Sequence, residues 1–377
     1  MRPHEEHSMN ILFSPQKLDD LTLPNRIVIP PMCQYAAQDG MAADWHLMHY
    51  GQLACSGAGL LIVEATAVEP QGRITAHDLG LWSDENAAAM SPVLRAIRRY
   101  SAMPVGVQLG HSGNKGSAEI PWKGGKQRPP SSPGGWRVEA PSELPLGSED
   151  DRPLVLDVQG IKRIISAFAA AAERAARIGY DLAEIHSAHG YLLHQFLSPL
   201  SNMRADIYGG PLENRMRLTL EVFEAVRAVF PAGKPVTVRI SAQDWVEGGW
   251  SLEDSIVLAH ELKARGCAAI HVSSGGLSPD QHIVLGPGYQ VPFAAKIKET
   301  VGLPIIAVGL ITEARQAESI LRGGCADMIA VGRGMLYNPR WGWHAAAALG
   351  AQIAAPPMYW RAAPRGVSGL FAPLTPL

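Results

Sequence analysis

Eight short apolar segments, each followed by a stretch with helical periodicity, constrain most strongly what this 377-residue chain can fold into. The segments are rich in β-branched residues and hydrophobic nearly throughout, which is typical of strands buried on both faces of a parallel sheet. Eight strand-then-helix units predict an α/β fold with a single (β/α)8 barrel, also called a TIM barrel. The predicted strands are RIVIPP (26–31), GLLIVEAT (59–66), PVGVQLG (104–110), DLAEIHS (181–187), PVTVRIS (235–241), CAAIHVSS (267–274), PIIAVG (304–309) and ADMIAVG (326–332).

Two of the intervening helices show their ends in the sequence. In residues 311–324, Thr312 is the predicted N-cap and two glycines stop the helix. In residues 251–266, Ser251 and Asp254 occupy the positions of a capping box, with Asp in place of the usual Glu.

Three segments fall outside the repeat. Residues 1–9 are polar and lack the layout of a signal peptide, so we expect a flexible leader before a barrel over residues 10–350. Residues 351–377 are rich in Pro, Ala and Arg, and are expected to extend off the barrel as a tail. Residues 110–156 follow the third strand and are dense in Gly, Pro and Ser. A loop this long predicts a lid or wall at the mouth of the barrel.

Composition narrows the class of partner. The formal net charge is -2, and the Lys and Arg residues are scattered, which argues against a nucleic-acid partner. No run of eighteen apolar residues occurs, so no membrane-spanning helix is expected. The four cysteines are widely spaced and form no C-x-x-C pair, which favours reduced thiols in the cytoplasm.

Chemistry in such barrels takes place at the carboxyl ends of the strands. Glycine turns after the seventh and eighth strands, at Gly309 and Gly332, are typical of a phosphate site, to which Arg333 could add a bidentate contact. Any strand-to-helix turn can also require glycine, so this pattern alone leaves both interpretations open. No G-x-G-x-x-G motif is complete, which favours a mononucleotide or sugar phosphate over a dinucleotide bound by a Rossmann unit.

Arg239, on the fifth strand, needs an anionic partner if it is buried. That partner could be a ligand, or a carboxylate such as Glu64 or Glu184.

The histidines at the end of the fourth strand allow three interpretations. His186 and His189 could bind zinc with His271, form a polar pair in a loop, or donate together to one substrate oxygen. In the third case Tyr191 could deliver a proton. Residue type and position leave these interpretations open.

Several segments resemble the old yellow enzyme family of flavin-dependent ene-reductases, over roughly residues 10–362. Cys33 and the Tyr359-Trp360-Arg361 tail resemble the subgroup of xenobiotic reductases and thermophilic-like ene-reductases. The segments are NRIVIPPMCQY (25–35), Q-L-x-H-S-G (108–113), HSAHGYLLHQFLSPLSNMRADIYGGPLENRMR (186–217), VRIS (238–241), GYQVPFAAKIK (288–298) and AVGRGM (330–335).

The resemblance implies non-covalently bound FMN, NADPH or NADH as reductant, and α,β-unsaturated carbonyl or nitro compounds as substrates. Hydride would pass from FMN N5 to the β-carbon of the alkene, while His186 and His189 hold the substrate oxygen and Tyr191 supplies a proton. Phenols would bind as ligands at the same histidines. No metal is implied.

The resemblance also assigns the other site residues. Cys33 would tune the flavin, Tyr35 would contact substrate, and Arg361 would reach the neighbouring active site in a homodimer or a dimer of dimers, which makes 351–377 an intersubunit tail. Another FMN barrel reductase, such as one acting on tRNA uridine, and a zinc-dependent hydrolase are the alternatives. The implied cofactor contacts are Pro30, Pro31, Met32, Cys33, Ala65, Gln108, Arg239, Gly309, Gly332 and Arg333.

Overall fold

The strands of the computed structural model, which describes residues 10–373, confirm the predicted barrel. In chain order they are β1 (Gln16–Leu18), β2 (Leu21–Leu23), β3 (Ile27–Ile29), β4 (Leu60–Ala67), β5 (Val105–Gly110), β6 (Glu139–Ala140), β7 (Leu154–Val155), β8 (Leu182–Ser187), β9 (Val236–Ser241), β10 (Ile270–Ser273), β11 (Ile305–Ala307), β12 (Met328–Ala330), β13 (Ile353–Ala354) and β14 (Phe371–Ala372). Strands β3, β4, β5, β8, β9, β10, β11 and β12 pair in parallel, in that order, and β12 closes onto β3. Each of the eight predicted segments supplies one of these strands.

Helices surround the barrel and cover its outer face. They are α1 (Asp44–Ala54), α2 (Asp84–Tyr100), α3 (Val158–Ile178), α4 (Leu192–Leu197), α5 (Leu212–Val229), α6 (Leu252–Ala264), α7 (Val291–Val301), α8 (Ala314–Arg322), α9 (Arg333–Tyr337) and α10 (Trp341–Leu349). None of the helices in residues 10–373 is long and apolar enough to cross a membrane.

The β1–β2 hairpin determines which end of the barrel is open. Its Leu18 and Leu23 are buried with Val28, Leu60 and Ile62 from the neighbouring barrel strands. Each fully buried aliphatic side chain of this kind contributes about 1.5–3 kcal/mol to the free energy of folding. The hairpin therefore closes the amino end of the barrel, and the carboxyl ends of the strands are left for a site.

The two predicted helix starts have different outcomes. Ser251 caps α6 by accepting from the Asp254 N–H, and Asp254 returns the contact, which confirms the capping box. The prediction for Thr312 is wrong, because α8 begins one residue later and Glu313 is its N-cap. The Thr312 N–H donates to the side chain of Gln316, and Thr312 lies one position before the N-cap.

The two flanks also differ. The predicted leader, residues 1–9, lies outside the described residues. The tail does not simply extend off the barrel, as the sequence suggested: β13 and β14 pair in parallel, and Leu370 packs with Trp343 of α10 in a small apolar cluster. Most of the segment between them is exposed, including the 3-10 turn Pro357–Ala362.

Candidate active site

Three aromatic rings meet where β8 ends. The His186 ring packs edge-on against the His189 ring, with 5.2 Å between centroids, and edge-on against the Tyr191 ring, at 4.8 Å. His186 is the penultimate residue of β8, and Tyr191 is the N-cap of the short helix α4. The strand end and the helix start therefore bring all three side chains to one spot.

The histidine rings are held neutral. Burial lowers the pKa of both His186 and His189 well below the ordinary value, and the nearby Arg239 charge lowers it further. The Ala188 N–H lies 3.3 Å from His186 Nδ1 and donates to it, so the ring proton is on Nε2. His186 can thus donate one hydrogen bond through Nε2 without carrying a charge.

His189 is fixed by contacts to the ends of β9 and β10 and to the loop after β5. Its φ of 58° lies in the left-handed region, and its N–H donates to Ser241 Oγ at 2.9 Å. Its Nε2 lies 2.7 Å from Ser273 Oγ. Lys115 Nζ donates to the His189 carbonyl at 2.9 Å and to the Gly276 carbonyl at 2.8 Å. These contacts offset the cost of a strained conformation at a functional position.

Tyr191 is suited to proton donation. Burial raises the pKa of Tyr191 well above its ordinary value, so the phenol keeps its proton at neutral pH. Lys115 Nζ lies 5.3 Å from the centroid of its ring. Burial lowers the pKa of Lys115 to about 8. Lys115 comes from the loop after β5, so this loop reaches the mouth of the barrel, as predicted.

Cys33 and Tyr35 lie on the turn that follows β3. The turn is held by the Gln34 N–H, which donates to Glu64 at 2.7 Å, and Tyr35 has a φ of 52°. Burial, followed by nearby acidic groups, raises the pKa of Cys33 well above its ordinary value, so the thiol is neutral. The Tyr35 ring lies edge-on to Trp122 of the long loop, at 5.9 Å.

The strand register aligns the remaining predicted residues. Ala65 pairs with Gln108, at an irregularity in the β4–β5 ladder, and Gln108 pairs with Glu184. On the next layer His186 pairs with Arg239, and Arg239 pairs with His271. Gln108, Glu184 and His271 form a buried chain: Gln108 Nε2 donates to Glu184 at 2.8 Å, and His271 Nδ1 lies 2.9 Å from the other carboxylate oxygen.

Arg239 is buried without an ion pair. No carboxylate oxygen of residues 10–373 lies within 4.0 Å of its guanidinium, so neither Glu64 nor Glu184 is the direct partner considered above. Its Nε has no hydrogen-bond acceptor among the described residues. Burial lowers the pKa of Arg239, which shows the cost of a lone buried cation. The arrangement fits an anionic ligand in the barrel mouth.

The glycine turn after β12 lies against the residues that follow β3, and the turn after β11 lies against Gln290. A Cβ on Gly332 would lie 3.5 Å from Pro30 Cγ and 3.7 Å from Met32 Sδ. Gly309 has a φ of 126°, and a Cβ there would lie 2.9 Å from Gln290 Nε2. Pro31 lies between Pro30 and Met32, and Arg333 follows Gly332 as the first residue of α9.

Arg361 is separate from this cluster. It lies in the exposed turn Pro357–Ala362 and makes no hydrogen bond or ion pair with the other site residues of the described chain.

The zinc interpretation is not supported by the positions of the histidines. His271 is engaged with Glu184, and within residues 10–373 it does not form a three-ligand group with His186 and His189. Among residues 10–373, a different group has ligand atoms that do converge, namely Glu69, His111 and Glu139. The Arg163 guanidinium bonds both of its carboxylates, which makes this group an ion-pair network.

Sequence reasoning missed three residues of the site, namely Lys115, Ser273 and Gln290. Ser273 ends β10, so a survey of polar residues at all eight strand ends would have included it. Gln290 belongs to the GYQVPF segment, and its side-chain oxygen accepts from Ser274 Oγ at 2.7 Å, which leaves the Ser273 hydroxyl to donate to His189 Nε2. Lys115 has no periodic signal, because it is placed by the path of a long loop.

The comparisons with known proteins agree with this geometry. The sequence profile of the NADH:flavin oxidoreductase / NADH oxidase family matches residues 11–351. The chain belongs to that family. This confirms the resemblance to old yellow enzymes, and with it FMN and NAD(P)H as the cofactors and an NAD(P)H-dependent flavin oxidoreductase as the class of enzyme.

Relatives in this family match over nearly their whole length. An NADPH dehydrogenase of Listeria innocua is 44% identical over 356 residues, which cover 94% of this chain and 99% of the relative. An NADPH dehydrogenase of Geobacillus thermodenitrificans is 42% identical over 353 residues, which cover 93% and 98%. Among solved structures, morphinone reductase superposes with a TM-score of 0.75 at 29% identity, covering 97% of this chain and 94% of the other.

Proposed function

We propose that this flavin oxidoreductase is an ene-reductase that uses NAD(P)H to reduce the C=C bond of α,β-unsaturated carbonyl or nitro compounds. The observation that carries the proposal is the group at the end of β8: a neutral His186 with its proton on Nε2, beside a protonated Tyr191. One donor polarises a substrate oxygen, and the other supplies a proton, as an enolate-like transition state requires.

The residues of the barrel mouth fit FMN. Arg239 offers a buried cation with a free Nε–H, which would face the anionic edge of the reduced ring. The residues that would contact the ring are Gln108, Ala65, Pro30, Pro31, Met32 and Cys33. Gly309, Gly332 and Arg333 would hold the phosphate, because backbone N–H groups at the start of α9 favour an anion and Arg333 adds a cation. Bound FMN would supply the hydride-transfer chemistry that links NAD(P)H to the alkene.

The chain's own groups then complete the reduction. His186 Nε2–H, together with His189, donates to the substrate oxygen and withdraws electrons from the β-carbon. As the β-carbon gains hydride, the C=C π electrons move toward the α-carbon. The α-carbon takes the Tyr191 proton, and solvent returns a proton to the phenolate. Cys33 and Tyr35, both protonated, line the pocket beside the substrate.

The proton-donor role is tested by separating the two half-reactions in stopped flow. Tyr191→Phe should slow oxidation of the reduced flavin by an enone such as cyclohexenone about 10²–10⁴-fold, the range for general acid catalysis. Flavin reduction by NADPH should be nearly unchanged, because it needs no proton from Tyr191. Tyr208→Phe, which removes a hydroxyl bonded to Glu221 away from the site, is the matched control. Equal loss in both half-reactions would contradict the role of Tyr191.

The assembly we propose is a homodimer or a dimer of dimers, with Arg361 reaching the neighbouring site. Large apolar side chains are exposed on α1, α9 and the turn at 357–362, and Arg340 links these regions by donating to the Gln52 carbonyl and stacking over Tyr359. These side chains are Trp45, Met48, Leu336, Tyr337, Met358, Tyr359 and Trp360.

Light scattering on a size-exclusion column tests the assembly, since a monomer at micromolar concentration would contradict it. Kinetics of Arg361→Ala test the reach into the neighbouring site. We also place the enzyme in the cytoplasm, because its four cysteines are all free thiols.

A further inference from the structure

A second buried polar pair lies behind the loop that carries His189 and Tyr191. His194 of α4 and Asp244 after β9 are both fully buried. His194 Nδ1 accepts from the Gly190 N–H at 2.9 Å, and His194 Nε2 lies 2.9 Å from Asp244 Oδ1. The pair therefore connects the backbone between the two proposed catalytic side chains to a fixed carboxylate.

The carboxylate is anchored so that only one oxygen faces the imidazole. Asp244 Oδ2 accepts from Ser198 Oγ at 2.6 Å and from the Trp250 N–H at 2.8 Å. Although burial opposes it, the adjacent His194 and these two donors lower the pKa of Asp244, so the group is a carboxylate. The Gly190 N–H donates to Nδ1, so a neutral imidazole carries its proton on Nε2. Nε2 lies at ion-pair distance from Oδ1, without an aligned hydrogen bond between them, and the negative charge of the carboxylate favours a proton on that nitrogen.

Gly190 occupies a position with a left-handed backbone and no space for a side chain. Its φ is 72°, it follows His189 at 58°, and a Cβ on Gly190 would lie 2.3 Å from the Gly276 carbonyl oxygen. Two successive residues in the left-handed region are held only if their surroundings determine them. The second of them is held through its N–H by His194 Nδ1 and through its carbonyl by Gln195 Nε2, which donates at 2.7 Å.

We propose that His194 and Asp244 form a positioning pair: the carboxylate selects the imidazole tautomer whose Nδ1 accepts from Gly190, and this contact sets the His189–Tyr191 geometry. The proposal rests on the proposed function, in which those two side chains bind the substrate oxygen and donate the proton. Neither His194 nor Asp244 touches the reacting atoms.

The sharpest variant is Asp244→Asn. The amide oxygen takes the Oδ2 position, because two donors point there, and the NH2 then faces His194 Nε2. That forces the proton onto Nδ1, where it confronts the Gly190 N–H. We expect phenol binding to weaken about 10–100-fold, by analogy with the loss when a group that orients a metal-binding histidine is removed. Ser198→Ala is the matched control, since it removes one bond to Asp244 but leaves Trp250 to anchor Oδ2; phenol affinity should stay within about threefold.

Two histidine variants separate positioning from general damage. In His194→Asn the amide oxygen lies near the Nδ1 position and can still accept from Gly190, whereas in His194→Gln the polar end lies near Nε2 and faces Asp244. The Asn variant should keep much more phenol affinity than the Gln variant. Equal loss in both, at equal FMN content, would overturn the proposal.

The tautomer of His194 can also be measured directly in the unmodified holoenzyme. The ¹⁵N NMR spectrum of histidine-labelled protein should show His194 Nδ1 unprotonated and Nε2 protonated. A protonated Nδ1 would overturn the positioning role even if every variant failed to fold. If the wild-type enzyme bound no phenol, the proposed function would fail, while the NMR result would still decide the tautomer.

Discussion

Glu64 is a buried carboxyl group whose ionisation should govern the pH dependence of stability. Its oxygens accept from the Gln34 N–H at 2.7 Å and from the Tyr50 hydroxyl at 2.7 Å. These bonds favour the carboxylate, but burial outweighs them and raises the pKa of Glu64 from 4.5 to about 8. Between these values the folded protein holds a proton that the unfolded chain has released. The free energy of unfolding therefore falls as the pH rises through this window.

Glu64→Gln removes the titrating group and keeps the shape. At about 1.4 kcal/mol per pKa unit, the wild type should lose about 3–4 kcal/mol relative to the variant between pH 5 and pH 8. The assay is urea unfolding of both holoenzymes at saturating FMN, at four pH values, because the difference between them cancels the other titrating groups. Tyr50→Phe removes a bond that favours the carboxylate, so its loss of stability should extend to higher pH. A difference between Glu64→Gln and wild type that stays constant within about 1 kcal/mol would refute the reasoning.

Two further predictions concern buried cations. Arg239→Met should stabilise the apoprotein by about 1 kcal/mol or more, because a lone buried charge is removed, while FMN affinity falls about 10–100-fold with the loss of charge-assisted bonds. Urea unfolding of the apoprotein and a fluorescence titration with FMN measure the two effects, and unchanged FMN affinity would contradict the role of Arg239. Lys115→Met should leave the His189 and Gly276 carbonyls unsatisfied, costing about 1–3 kcal/mol each, and should weaken phenol binding. A variant with wild-type phenol affinity would show that Lys115 does not hold the histidine loop.

The barrel could be predicted from the sequence because buried parallel strands leave a strong local signal. Each predicted segment contains a barrel strand, and strand ends such as His186 and Gln108 follow from the same register. Residue type alone leaves some roles open. At His189, for example, it does not decide between binding zinc and binding a substrate oxygen, and the family resemblance favours the oxygen.

The rest depends on contacts distant in sequence. Lys115 reaches His189 through the path of a loop, and the packing of Leu370 on Trp343 depends on a pairing between two-residue strands. The start of α8 differs from the prediction by one residue, because local sequence does not determine the exact terminal residue of a helix. Whether Arg239 pairs with a carboxylate or stays open for a ligand depends on side-chain positions that no pattern encodes.

The proposed function requires that His186 and His189 hold a substrate oxygen beside bound FMN. The most direct measurement is the visible absorption spectrum of the purified holoenzyme during titration with a simple phenol. We expect a flavin spectrum that develops a long-wavelength charge-transfer band, with a dissociation constant that rises in His186→Ala and His189→Ala. A flavin spectrum that stays unchanged at saturating phenol, or a band equally strong in both variants, would contradict the account.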